Sequence, residues 1–114
     1  MEMTNEVMKT IIFELIDKEL QAANEKFPLF SSNHEAYAVI KEEMEEADEE
    51  AENINAFMGL AWAKIRTNKP HGDIAQEWEE VYNAAARMAI EAIQTAAMAR
   101  KAIVSARTEG VLGK

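Results

Sequence analysis

The chain has 114 residues, with 12 Lys and Arg against 21 Asp and Glu, a formal net charge of −9, and no cysteine. That length suits one domain, and a hydrophobic content of 48% argues against general disorder. The acid excess would be repelled by a nucleic-acid backbone, the missing cysteines exclude disulfides and thiolate metal sites, and no apolar run approaches the roughly 20 residues that span a bilayer.

The opening segment, MEMTNEVMKT, carries acid early and lacks the basic start of a signal peptide, so a cytoplasmic protein is expected. Only four Gly and two Pro punctuate the sequence, which implies few turns and long elements. The expected fold is all-α: long antiparallel helices forming a bundle, with no membrane and no nucleic-acid polymer as partner.

A first helix is expected over about 4–25, capped by Thr4 or Asn5. Its apolar residues, Val7, Ile11, Ile12, Leu15, Ile16 and Leu20, recur at helical spacing. A loop from Lys26 to Asn33 follows. Pro28 stops helix propagation there and biases Phe27 away from the α region.

A second helix is expected over about 33–66. Ser32 with Glu35 has the spacing of a capping box, and Asn33 is an alternative cap. Tyr37, Ile40, Met44, Ala47, Ala51, Ile54, Met58, Ala61 and Ile65 step along it by three and four. Asn53, Asn55 and Gly59 are weak helix formers and point to a break near 53–56.

Thr67-Asn68-Lys69-Pro70-His71-Gly72 reads as the second loop. Asp73 with Gln76 repeats the capping spacing and opens a third helix over about 73–107. Gly110 and Gly113 mark a frayed tail over 108–114. On the third helix Ile74, Trp78, Val81, Ala85, Met88, Ala92, Ala96, Ala99 and Ile103 form one stripe. Ile90, Ile93, Ala97 and Val104 add another beside it. So wide an apolar surface needs cover on several sides, more than three helices of one chain provide. A homodimer or homotetramer would supply it.

The segment from Lys41 to Glu50 is rich in acid. On a helical wheel Glu45, Asp48, Glu49 and Glu52 face away from the apolar stripe, but Glu43 and Glu50 do not. Glu46 lies three residues after Glu43. A carboxylate at the core edge needs a partner: a cation, an interhelical salt bridge, or partial exposure to water. Glu91 is the sole acid between Glu80 and Glu109, with Gln94 three residues on. Its alternative partner is Arg87, one turn earlier. Two helices that each present oxygen ligands at i and i+3 would form an all-oxygen site suited to Mg²⁺ or Mn²⁺.

Glu42-Glu43-Met44-Glu45-Glu46 and Glu91-Ala92-Ile93-Gln94 resemble the Glu-Glu-x-x-Glu and Glu-x-x-Asp motifs of the MazG-like, all-α nucleotide pyrophosphohydrolases. The surrounding segments His34–Glu43 and Glu91–Ala99 look like a prophage-associated branch, and the resemblance spans about residues 30–105. It implies hydrolysis of a nucleoside triphosphate to monophosphate and pyrophosphate. It further implies Mg²⁺ on Glu42 or Glu43, Glu46, Glu91 and Gln94. A spare glutamate, Glu42, would act on the attacking water, and Arg87, Arg100 and Lys101 are the candidates to grip phosphate. Gln94 departs from the motif. Its amide oxygen brings no charge, which implies weakened metal binding and reduced, altered or absent activity.

Two alternatives stand beside this reading: a non-catalytic helical assembly protein of phage origin, and a module that binds a nucleotide or cation without turnover. His34 and His71 read as polar helix-end residues. Trp62 and Trp78 read as core or interface, and Met44, Met58, Met88 and Met98 as packing fillers. Phe27, Leu29 and Phe30 would close the bundle end or line a pocket mouth.

Overall fold

The computed structural model describes residues 3–108. Among them it contains three α-helices, α1 (Asn5–Lys26), α2 (Asn33–Arg66) and α3 (Ala75–Arg107), with a 3-10 turn at His71–Ile74 and no strand. The all-α expectation holds. No helix among the described residues is long and apolar enough to cross a membrane. The expected tail beyond residue 108 lies outside the described residues.

The helix ends follow from local chemistry. Thr4 caps α1: its hydroxyl accepts from the Val7 N–H at 3.2 Å. Phe27, before Pro28, leaves the helix in an extended conformation. Ser32 caps α2 by accepting from the Glu35 N–H at 3.1 Å. The box does not close in the usual way, because the Glu35 carboxylate takes a hydrogen bond from the Ser31 hydroxyl at 2.6 Å.

The break expected near 53–56 is absent, since α2 runs unbroken from Asn33 to Arg66. Asn53 donates from its side-chain amide to Glu50 Oε1 at 2.9 Å, one turn back. That contact keeps its side chain from competing with the helix backbone. Helix α2 ends on Asn68, whose φ of 59° lies in the left-handed region. The Asn68 N–H donates to Ile65 and the Lys69 N–H to Lys64, at 2.9 and 3.0 Å, the Schellman pattern with Asn in place of Gly. The third helical segment also starts differently from expectation. Asp73 sits inside the 3-10 turn rather than ahead of a helix, and α3 begins at Ala75.

The chain packs as two compact units. Among the described residues the first comprises 3–43 and 92–108, and so holds α1, the start of α2 and the end of α3. Ile16, Phe30, Ala36 and Ala97 are its buried apolar residues, joined by Lys101 and Ser105. The Phe30 N–H donates to Ser105 Oγ at 3.0 Å, and that hydroxyl donates to the Lys101 carbonyl at 2.8 Å. A loop amide that would otherwise be stranded inside is thereby satisfied.

The second unit is Met44–Glu91. It is an αα-hairpin, antiparallel because its cross-links pair early with late residues: Glu50 with Arg87 and Lys64 with Glu77. Ala61, Ile74 and Ala84 are buried there, and the two alanines leave room for close backbone approach. Not every stripe residue is covered within the single chain. Met44, Met58, Trp62, Met88 and Ile90 are exposed in this chain.

Candidate functional site

Helical periodicity positions the acids. Glu46 projects from α2 and Glu91 from α3, both within the second unit. Each offers a carboxylate oxygen, and these lie within 4.8 Å of one another. Glu43 stands one turn before Glu46 on the same continuous helix. Glu43 and Glu91 are half-buried and Glu46 is exposed. Like charges this close repel, so such a group is held together by hydrogen bonds, protonation or a cation. The donor set is oxygen only, and carboxylate oxygens suit a hard divalent cation.

The other residues picked out by the sequence have different surroundings. Glu42 is exposed on α2, and Gln94 is half-buried on α3, one turn past Glu91. Arg87 does not serve Glu91 in the way the i,i+4 alternative supposes. Its guanidinium Nε reaches Glu50 Oε2 on the facing helix at 2.6 Å. The same contact lowers the Glu50 pKa, with help from Asn53, and raises that of Arg87. Arg100 is exposed and borders a shallow cleft with Phe13, Asp17 and Ile103. Lys101 is buried in the first unit, its ammonium 4.9 Å from the centre of the Phe30 ring.

Glu50 and Glu43 are the two acids of the Lys41–Glu50 run that the helical wheel turns toward the core, and both are half-buried. Glu45, Asp48, Glu49 and Glu52 are exposed, as the wheel requires. Sequence reasoning missed two polar residues. Glu77 is buried and bound to Lys64 at 2.5 Å, which lowers its pKa. Ser105 is fully buried. Glu77 lies three residues after Ile74 and four before Val81, so a wheel drawn on that stripe would have placed it near the core. No pattern marks Ser105, whose role depends on a loop 75 residues away.

The first unit also holds a cleft of about 510 Å³. Its apolar walls come from residues such as Phe27, Phe30, Val39 and Met98, and Lys26, Lys101, Glu19, Glu35 and Glu43 bring charge. The loop aromatics Phe27 and Phe30 therefore line a pocket, and Phe30 is also buried. Comparison of the chain with protein-family models, with curated proteins and with solved structures gives no match at any of the three levels.

Proposed function

We propose that this chain is a MazG-like nucleoside triphosphate pyrophosphohydrolase that depends on Mg²⁺ or Mn²⁺ and works in the cytoplasm as a homodimer or homotetramer. The observation that supports the reading is the approach of the Glu46 and Glu91 carboxylates to within 4.8 Å. Glu43, Glu46 and Glu91 would hold the cation, and Gln94 would add a neutral oxygen. When bound, the cation supplies positive charge against the triphosphate.

Exposed Glu42 is free of the core and is the group to accept a proton from the water that attacks the α-phosphorus. The bond between the α- and β-phosphates then breaks, and pyrophosphate leaves. Of the two candidate arginines, Arg87 is engaged by Glu50, and Arg100 is exposed on α3 and is the one we assign to phosphate. The exposed apolar residues, among them Ile11, Phe13, Leu60, Trp62 and Ile90, favour a self-associated form.

The test is pyrophosphate release from a panel of nucleoside and deoxynucleoside triphosphates with Mg²⁺ or Mn²⁺. Hydrolysis is expected, and Glu46→Gln and Glu91→Gln should each abolish it. Turnover that survives in both variants sinks the mechanism. Gln94 favours one second reading, a module that binds nucleotide or cation without turnover. That reading predicts cation-dependent thermal stabilisation, removed by Glu46→Gln, in the absence of hydrolysis.

A further inference from the structure

Lysine is rarely buried without a partner, because taking an ammonium out of water is costly. Lys101 is only 3% exposed. Among the described residues its ammonium makes no ion pair and donates no hydrogen bond. Its one recorded contact is the face of the Phe30 ring, which attracts a cation through the ring quadrupole but does not neutralise it. The same lysine lines the cleft of about 510 Å³ in the first unit, a volume within the range of roughly 300–1,000 Å³ common for small-molecule sites.

We propose that this cleft binds a small organic anion, with its single charged head on the Lys101 ammonium and its apolar body against Phe27, Phe30, Val39 and Met98. Charge complementarity argues for the head group: the Lys101 stem is buried, its ammonium is open to the cleft, and among the described residues no carboxylate pairs with it, so an anion would be its first ion-pair partner. The walls argue for the body, since most of the surface they expose to the cleft is apolar. The remaining charges limit the ligand. Glu19, Glu35 and Glu43 line the same cleft beside Lys26 and Lys101. Three carboxylates against two ammoniums admit one compact anionic group but repel a chain of phosphates. The ligand is therefore of a different class from a nucleoside triphosphate, and because Glu43 also belongs to the proposed cation site, the test is run without divalent cations.

A carboxylate and a phosphate monoester share this chemistry, so the test uses both. Benzoate and phenyl phosphate are titrated into the full chain by calorimetry, with benzyl alcohol and benzylamine as neutral and cationic counterparts. At least one anion should bind, about tenfold more tightly than benzyl alcohol. Lys101→Met should weaken the anion about tenfold and leave benzyl alcohol unchanged, while Lys101→Arg should retain the preference. Should Lys101→Met fail to fold, the side-chain resonances of Lys101 in the unaltered chain give the readout. They should move on adding the anion and stay still on adding benzyl alcohol. Equal binding of anion and alcohol, preference for benzylamine, unchanged affinity in a folded Lys101→Met, or an unmoved Lys101 signal each overturns the proposal.

Discussion

The two units are held together by different means. The first encloses a large aromatic residue, Phe30, and ties its loop to α3 through Ser105. The second buries small residues, Ala61 and Ala84, with Ile74, and spans its hairpin with Lys64–Glu77 and Arg87–Glu50. Apolar burial and a satisfied internal amide are insensitive to salt and to mild acid. Ion pairs at partly exposed side chains are sensitive to both. The contrast teaches that one helical periodicity can yield two kinds of stability, depending on which side chains meet across the helices.

Perturbing each kind of contact tests that difference. The largest effect is expected from Phe30→Ala, which removes a large buried side chain from the first unit. Truncating a buried Phe costs about 3–5 kcal/mol, and a urea titration should show the midpoint falling accordingly. A loss under about 1 kcal/mol would mean that Phe30 does not anchor the unit.

Ser105→Ala comes next. It leaves the Phe30 amide without an acceptor and should cost about 1–3 kcal/mol, with faster hydrogen exchange at that amide. Exchange at Phe30 that stays slow would break the assignment of this contact. Asn68→Val is expected to cost about 1–2 kcal/mol, because a β-branched residue is strained in the left-handed conformation at the end of α2. Asn68→Gly should hold or raise the melting temperature, since glycine accepts that conformation without strain.

The acid response separates the units further. The folded pKa values of Glu50 and Glu77 lie below their ordinary value of 4.5. The principal cause is the Arg87 hydrogen bond for Glu50 and the Lys64 hydrogen bond for Glu77. A lowered carboxylate pKa adds stability that is present above the unfolded value and is lost as pH falls through the folded one. Stability should therefore decline as the solution is acidified below about 4.5, and Glu77→Gln should flatten that decline in a pH series of thermal melts. Equal acid sensitivity in Glu77→Gln would remove Glu77 from the account. Arg87→Ala, at an exposed side chain, should have the smallest effect, and added salt should shrink it further.

The sequence spoke clearly where the cause is local. Thr4, Ser32 and Pro28 mark helix ends within a residue or two, because a cap needs only its own turn and a proline acts only on its neighbours. Asn53 shows the limit of local propensity, since a contact to Glu50 carries the helix through a weak former. The acids at the candidate site were legible because Glu43, Glu46 and Glu91 break an apolar pattern at helical spacing. Arg87 was not, because its choice between Glu91 and Glu50 depends on which helix faces it.

By itself, then, the sequence determined the helices, their approximate limits and, within the Lys41–Glu50 run, which acids turn toward the core, since all three follow from spacing along one helix. Tertiary structure decided the pairings: Ser105 with the Phe30 amide, Lys64 with Glu77, and Lys101 with an aromatic ring in place of a carboxylate. Those contacts join residues far apart in the chain, and a helical period says which way a side chain points without saying what it will meet.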